Sequence, residues 1–408
     1  MKTFLVGGAV RDTLLNYPVK ERDWVVLGET PESMVKQGFQ PVGKDFPVFL
    51  HPQTHDEYAL ARTERKTAPG YKGFTVHASP EITLEEDLIR RDLTINAMAM
   101  DDQGNIVDPY HGEEDLKNRV FRHVSPAFSE DPVRILRIAR FAARYSHLGF
   151  TIAEETLTLM KQMVSNGETD HLVAERVWAE LVKALSEKTP SAFFHILKEC
   201  NALQTIFPEI DQLFGVPQPK LHHPEVDTGA HSLLSLDQAS VLSQKPEVRL
   251  AALLHDLGKA ATDRSKWPSH HGHEQIGIPL LNQFCQRLRV PKSFKSLATL
   301  VMHYHTHCHR CFELKASTLT DMLSSLGAFK TTNTTLDDFI LACEADSKGR
   351  TGLENKPYPQ SAYLIAAADA ACNIDTTSVL NSHLEGPQIG DAIRGLRISA
   401  IKSFIKSV

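Results

Sequence analysis

The sequence lacks any hydrophobic run of the roughly 20 residues that a membrane-spanning helix needs. Its first apolar stretch, which begins at Met1, is interrupted by Arg11 and Asp12 before a secretory signal could form. This pattern argues against an integral membrane protein and against a secreted one. We therefore expect a cytoplasmic protein.

Cysteine is absent before Cys200, and the six cysteines of the chain have irregular spacings. This pattern excludes a regular disulfide framework and is typical of reduced thiols. Cys308 and Cys311 form the one Cys-x-x-Cys pair of the sequence, whereas a tetrahedral structural zinc site usually takes a second pair. We interpret them as surface or half-buried thiols on a helix.

A basic excess is also missing, because 44 lysines and arginines stand against 50 aspartates and glutamates, which gives a net charge of −6. A nucleic-acid partner would have to be held by local basic patches, since the global field is not positive. Hydrophobic content of 42% and charged content of 23% are ordinary for globular proteins, which excludes a disordered or fibrous chain.

The 408 residues exceed the ~250 that one hydrophobic core usually serves, so we expect several domains. Short β-like runs and Gly/Pro turns alternate in residues 1–125, and long helical periods follow from Asp131. Closely spaced prolines in 216–224 predict a linker, with a boundary near 222. The predicted strands are 3–6, 23–27, 47–50 and 57–61. The predicted domains are 1–125, 126–222, 223–330 and 331–408.

Three segments of the first part carry groups suited to nucleotide chemistry. Gly8 follows a strand and precedes a helical run, so bare backbone amides and Arg11 could meet a phosphate, although a glycine pair after a strand is often an ordinary turn. Glu21 and Asp23 begin a predicted strand, where a period of two puts both carboxylates on one face. Such a pair can share Mg²⁺ ions, and its alternative interpretation is a solvated strand edge.

Arginines dominate the other two segments. Arg91 lies in Arg-Arg-Asp-Leu-Thr-Ile-Asn, which places two guanidiniums beside an acid and an amide, a group suited to a triphosphate and a ribose. Asp131 opens a predicted helix with an acidic first turn and Pro132 near its start. The arginines of that helix fall within one broad stripe, at positions Arg134, Arg137, Arg140 and Arg144.

Together, in this order, the three segments resemble the motifs of the class II tRNA nucleotidyltransferases of the DNA polymerase β superfamily. The resemblance implies an α+β fold with a polymerase β-like head, a small mixed sheet, an all-α body and a further helical domain. It also implies the activity, which is addition of C, C and A to the 3′ end of tRNA from CTP and ATP. In those enzymes no nucleic-acid template directs this addition.

The resemblance implies roles for single residues. Glu21 and Asp23 would bind Mg²⁺, with Glu57 a candidate third carboxylate. Asp131 and Arg134 would read the base edge, because a carboxylate accepts from an exocyclic amine and a guanidinium donates to ring nitrogens or a carbonyl. The further nucleotide contacts would be Gly8, Arg11, Arg91, Arg137 and Arg140. The chain departs from the family at Glu21, where Asp-x-Asp is usual.

Eleven of the 20 histidines lie between His222 and His309, which favours a metal site. The adjacent pair His255-Asp256 ends an apolar helical run and resembles the signature of the HD-domain phosphohydrolases. We expect the ligands to come from His231, His255, Asp256, His273, His305 and Asp346. Imidazole ligands favour Ni²⁺ or another transition metal over Mg²⁺. The resemblance implies hydrolysis of phosphomonoesters and 2′,3′-cyclic phosphates.

Two other functions fit parts of the sequence. A bacterial poly(A) polymerase shares the head motifs, but we disfavour it because no basic extension precedes the first strand and because an HD domain follows. An HD phosphohydrolase whose head only binds RNA is the other, motivated by Glu21. A role without catalysis would leave both metal constellations unexplained. Whether the protein is a monomer or a homodimer stays open.

Overall fold

A computed structural model describes residues 1–19, 21–42, 47–66, 74–221, 223–330, 334–380 and 384–407 of the 408. The chain divides into two compact units. The first contains 1–177 and 195–206, and the second contains 178–194 and 207–408. His222, at the predicted boundary, lies outside the described residues.

The first unit contains a seven-stranded mixed sheet with strand order β3-β4-β5-β2-β1-β8-β9, in which β2 and β5 are parallel. The four predicted strands are confirmed to within one or two residues at each end. The sheet strands are β1 Lys2–Val6, β2 Asp23–Leu27, β3 Gln40–Val42, β4 Val48–Leu50, β5 Glu57–Leu60, β8 Ala99–Met100 and β9 Ile106–Val107. Two further pairs are β6 Arg62–Lys66 with β7 Phe74–Ala78, and β10 Val120–Phe121 with β11 Thr151–Ile152.

Strand β2 separates two small cores, because its side chains alternate between the faces of the sheet. Val25 packs on one face with the cluster that includes Phe4 and Leu88. Val26 packs on the other face with Met34 and its neighbours. Asp23 therefore lies on the Val25 side of the sheet, at the start of the strand.

The prediction that Glu21 begins this strand is wrong. Strand β2 starts at Asp23, which pairs with Val6, the last residue of β1. Beyond Val6 the chain turns away, since Gly7 has a φ of +68°, a conformation that favours glycine. Glu21 thus precedes the sheet and pairs with none of the described strands.

Helices make up the rest of the first unit. Helix α5 begins directly after Pro132 and buries nearly every residue of its length. The prediction that Asp131 opens this helix in an acidic first turn is wrong, because Asp131 is extended and precedes it. The helices that lie within or enter this unit are α1 Gly8–Leu14, α2 Pro31–Lys36, α3 Leu84–Leu88, α4 Gly112–Asn118, α5 Val133–Tyr145, α6 Glu154–Ser165, α7 Ala174–Leu185, α8 Ser191–Glu199 and α9 Leu203–Ile206.

Helices joined by loops form the described part of the second unit. Its further helices are α10 Pro208–Asp211, α11 Thr228–Leu242, α12 Pro246–Leu254, α13 His273–Arg287, α14 Lys292–His309, α15 Ala316–Ser325, α16 Thr335–Lys348, α17 Gln360–Cys372, α18 Thr377–Leu380 and α19 Pro387–Ser407. The fold class is therefore α+β, with a small mixed sheet followed by helices. None of the described helices is both long and apolar enough to cross a membrane.

Cys308 and Cys311 are fully buried. The interpretation of these thiols as surface or half-buried groups is therefore wrong. Their side chains are small and weakly polar, so they pack in the core at the end of α14, as free cysteines commonly do.

Candidate active sites

The first candidate site lies where β1, β2 and β5 meet. Asp23 is in register with Val6 on one side and with Glu57 on the other. Its side chain reaches the surface, but the surrounding protein removes part of its hydration, which raises the pKa of its carboxyl. The charges of Arg91 and Arg137 lower that pKa, and the charge of Glu21 raises it. Glu57 is thus the β5 residue in register with Asp23, and Glu21 is close enough for its charge to act on the Asp23 carboxyl.

The turn after β1 brings Arg91 close to the carboxylates. A methyl group at Gly7 would lie 3.0 Å from the Arg91 Nη1, so glycine leaves room for this guanidinium. Arg91 and Arg90 both donate to the Asp87 carboxylate, at 3.2 and 2.8 Å. Asp87 therefore anchors the two guanidiniums that the sequence assigned to a triphosphate.

Arg11 is buried, with 3% of its surface exposed. Its Nε donates to Asp12 over 2.9 Å and its Nη1 to the Asn96 Oδ1 over 2.5 Å. Asp12 in turn accepts from Arg144 at 2.9 Å and from the Tyr145 hydroxyl. Arg11 and Asp12 thus connect α1 to α5 through hydrogen bonds, and Arg11 helps to hold the site in place.

Asp92 connects the ribose segment to α5. Its carboxylate accepts from the Arg137 Nε at 2.7 Å and from the Asn96 amide at 3.0 Å. Burial disfavours the charged form, but the charge of Arg137 and these hydrogen bonds hold the pKa of Asp92 well below its usual range. The carboxylate is therefore ionised and fixes Arg137 beside Asp23.

The pair expected to read the base is held by other protein groups. Arg134 donates to the carbonyls of Ala127 and Arg90, at 2.9 and 2.6 Å. Asp131 accepts both prongs of the Arg176 guanidinium, at 3.0 and 2.7 Å. Arg140 lies over the Phe141 ring, 4.5 Å from its centroid, and is buried like Arg134.

The second candidate site is a cluster of buried imidazoles and carboxylates in the second unit. His231 lies in the first turn of α11, which the Asp227 side chain caps. His255 and Asp256 follow the end of α12. The cluster is completed by His273 at the start of α13, His305 in α14 and Asp346 near the end of α16.

The Asp256 carboxylate lies at the centre of this cluster. Its Oδ2 is 3.0 Å from the His255 Nε2, and its Oδ1 is 3.2 Å from the His273 Nε2 and 3.7 Å from that of His305. Asp346 Oδ1 lies 3.0 Å from the His231 Nε2. The structure therefore brings all six predicted ligands together, with Asp256 between two groups of them.

Backbone carbonyls fix the protonation of the four imidazoles. The Nδ1 atoms of His255, His273 and His305 lie 2.7, 2.9 and 3.1 Å from the carbonyls of Ala252, His270 and Val301. The His231 Nδ1 lies 3.1 Å from that of Gly349. A carbonyl only accepts, so each Nδ1 carries a proton, and Nε2 is the nitrogen that would bind a metal, after losing any proton that it shares with a carboxylate. The donor set therefore fits a transition metal.

The protonation of each residue in the cluster depends on its burial and on the charges of its neighbours. Burial disfavours the charged form of His231, but hydrogen bonds to Asp346 and Glu225 raise its pKa to about 9. Burial, reinforced by the charge of His255, lowers the pKa of His305 to about 3. The pKa of Asp346 is held well below its usual range by neighbouring histidines, despite burial.

Three polar residues around this cluster were not predicted as functional. The Lys259 Nζ lies 2.6 Å from Asp256 Oδ2. The Glu225 Oε1 lies 3.2 Å from the His231 Nδ1, and the His309 Nε2 lies 2.6 Å from Asp346 Oδ2. The spacing of Lys259, three residues after Asp256, could have indicated it. Glu225 follows the proline-rich stretch and gave no local signal.

Three family models match consecutive parts of the chain. Residues 3–122 match the poly A polymerase head domain, and residues 149–214 match a probable RNA and SrmB-binding site of polymerase A. Residues 228–373 match the HD domain. The strand residues of the first candidate site fall within the first match, and the six histidines and aspartates of the second site fall within the HD match.

Full-length relatives decide the family. A multifunctional CCA protein of Methylococcus capsulatus is 60% identical over 98% of this chain and 95% of its own length. Another, of Teredinibacter turnerae, is 59% identical over 98% of both chains. The chain belongs to the multifunctional CCA protein family.

Solved structures agree with the fold expected for this family. The CCA-adding enzyme of Bacillus stearothermophilus, solved with CTP, has a TM-score of 0.67 at 22% identity and covers 98% of this chain and 89% of its own. That of Thermotoga maritima, solved with tRNA, has a TM-score of 0.61 at 20% identity, covering 100% and 91%. At these identities the likeness supports the fold alone.

Proposed function

We propose that this enzyme adds C, C and A to the 3′ end of tRNA from CTP and ATP without a nucleic-acid template. One observation carries the proposal. Asp23 and Glu57 are in register at the first residues of two neighbouring strands, and the charges of Arg91 and Arg137 act on the Asp23 carboxyl. Acidic residues that could bind a metal beside fixed guanidiniums suit the transfer of a nucleotidyl group from a triphosphate.

Each part of the first site has a distinct task in this reaction. Mg²⁺ ions held by Asp23, Glu21 and Glu57 would activate the tRNA 3′-hydroxyl and neutralise the triphosphate. Arg91 and Arg137 supply positive charge toward the phosphates, each anchored on a buried aspartate. The phosphate contacts of Gly8, Arg11 and Arg140 belong to the same proposal.

Base choice falls to Asp131 and Arg134 in this proposal. Asp131 would accept from the exocyclic amine of cytosine or adenine, and Arg134 would donate to the adjoining ring nitrogen or carbonyl. Both side chains are held by protein contacts. A single site could then take CTP and ATP, because both bases carry an amine.

We further propose that the HD centre hydrolyses phosphomonoesters and 2′,3′-cyclic phosphates. His231, His255, Asp256, His273, His305 and Asp346 would hold Ni²⁺ or another transition metal, which would supply Lewis acidity for hydrolysis of the ester. Lys259, 2.6 Å from Asp256, adds a positive charge for a phosphoryl oxygen. Such an activity would restore the 3′-hydroxyl that nucleotide addition requires.

The deciding experiment supplies tRNA that lacks CCA with CTP, with ATP and with both, and sequences the product ends. We expect CC with CTP alone and CCA with both nucleotides. Poly(A) addition with ATP alone would support the poly(A) polymerase alternative. Absence of any incorporation with Mg²⁺ or Mn²⁺ would leave an HD phosphohydrolase whose head binds RNA.

Several finer assignments belong to this proposal. The division into domains 1–125, 126–222, 223–330 and 331–408, and a cytoplasmic location, remain predictions. Sedimentation of the purified protein distinguishes a monomer from a homodimer.

A further inference from the structure

The Asp131 carboxylate accepts two hydrogen bonds from Arg176, which lies 45 positions further along the chain. Arg176, in the first turn of α7, donates from Nη1 to Asp131 Oδ1 over 3.0 Å and from Nη2 to Oδ2 over 2.7 Å. The Val133 amide donates to the same Oδ1 over 3.1 Å. A carboxylate offers about four lone-pair positions. Three are therefore occupied, and the remaining acceptor lies on Oδ2.

This contact fixes a direction as well as a charge. Two parallel N–H donors hold the plane of the carboxylate against rotation, whereas a lysine would supply one mobile charge. The side chains of Arg176 and Asp131 are only 28% and 19% exposed, which limits the screening by solvent. The free acceptor of Asp131 therefore has a defined orientation.

We propose that Arg176 is a positioning residue for base selection, acting through Asp131. The inference rests on the proposed nucleotide addition. Cytosine and adenine present an exocyclic amine that the remaining acceptor can receive. Uracil and guanine present a carbonyl oxygen at the same position, which the fixed carboxylate repels.

Arg134 is held independently of Arg176. Its guanidinium donates to the carbonyls of Ala127 and Arg90, which belong to the segments before α5. The donor half of the base-reading pair thus has its own support. Arg176 therefore governs the acceptor half, and its loss should affect the choice between amine and carbonyl more than the binding of the triphosphate.

The test compares kcat and KM for CTP, ATP, UTP and GTP in full-length Arg176→Ala, Arg176→Lys and Asp131→Ala variants and in the double variant Asp131→Ala/Arg176→Ala. Lys183→Ala is the matched control, because it removes an exposed positive charge from the same helix. CCA-less tRNA receives the CTP, UTP and GTP assays, and tRNA ending in CC receives the ATP assay.

Both Arg176 variants should raise the kcat/KM of UTP relative to CTP about tenfold. Their KM for CTP should change less than this ratio, and Lys183→Ala should behave like wild type. The double variant should discriminate no worse than Asp131→Ala, because Arg176 acts through that residue. Arg176→Lys keeps the charge without the fork, so its failure to restore discrimination would assign the effect to orientation.

Two results would overturn the inference. Wild-type discrimination in Arg176→Lys would mean that charge alone suffices. Tighter CTP binding by Arg176→Ala with unchanged discrimination would mean that Arg176 competes with the nucleotide for Asp131. Thermal unfolding checks the fold of each variant, and Arg176→Lys decides if Arg176→Ala does not fold. If wild type adds no CMP, the proposed function fails instead.

Discussion

Among single residues, Glu21 departs from the Asp-x-Asp pattern of the family it resembles. It precedes β2 instead of sharing it, yet its charge reaches the Asp23 carboxyl and raises the pKa of that group. Glutamate carries one more methylene than aspartate, so its carboxylate extends further from the backbone. We interpret the longer side chain as allowing the Glu21 carboxylate to reach the metal site from a position before the strand.

We expect Glu21→Ala to be nearly inactive in nucleotide addition and Glu21→Asp to lie within about tenfold of wild type, a barrier difference of about 1.4 kcal/mol. Aspartate keeps the charge and loses only reach, whereas alanine removes a ligand. Single-turnover addition of CTP measures both. A Glu21→Ala variant as fast as wild type would show that Glu21 binds no catalytic metal.

Arg134 should affect both fidelity and stability. Arg134→Ala removes the donors of two backbone carbonyls in a buried region, which costs about 1–3 kcal/mol for each acceptor left unsatisfied. We therefore expect more misincorporation of UTP and GTP together with a lower midpoint of thermal unfolding. Unchanged fidelity in a folded variant would exclude a role in reading the base.

Residues that carry a local pattern could be predicted from the sequence, and those that depend on distant partners could not. Asp23, Asp131 and His255 stand in recognisable strings with strand or helix periodicity. Arg176 meets Asp131 across 45 positions, and nothing in its own segment indicates that contact. Glu21 was assigned to a strand because alternation continues through it, although its neighbour β1 has already turned away.

Between elements, the turn after Asp256 lies very close to the backbone of α13. A methyl group at Gly258 would collide with the backbone carbonyl of His273 and lie 2.7 Å from the Gly277 nitrogen. These atoms belong to the backbone and cannot move alone. Glycine at this position therefore allows α13 to present His273 to Asp256.

We expect Gly258→Ala to lose most of the HD phosphatase activity while nucleotide addition continues. The added methyl group must displace α13, and a shift of ~1 Å in a reacting group can cost on the order of 100-fold in rate. Hydrolysis of a 2′,3′-cyclic nucleotide in the presence of Ni²⁺ or Mn²⁺ measures the loss.

Gly390→Ala is the matched control for this variant. It lies within α19, and a methyl group there would meet no atom within 4 Å. Its phosphatase activity should equal that of wild type. Equal activity in Gly258→Ala would mean that the approach of α13 does not position His273 for catalysis.

For the whole molecule, the two compact units predict that the two activities can be removed separately. Asp23→Ala should abolish addition of both CTP and ATP and spare phosphatase activity. Asp256→Ala should do the reverse, because its carboxylate belongs to the other unit. Parallel assays of both variants with both substrates measure this, and loss of only one nucleotide's addition in Asp23→Ala would contradict a shared site.

The backbone carbonyls that hold the four imidazoles affect how the HD centre would acquire and exchange its metal. Since the ring orientations are set by the helices, the ligands are arranged before any ion arrives. A chelator should then empty the HD centre without unfolding the chain, unlike the removal of zinc from a finger whose fold depends on it. The ion found there would reflect which metals the cell provides, and one preparation could be stripped and refilled with several in turn.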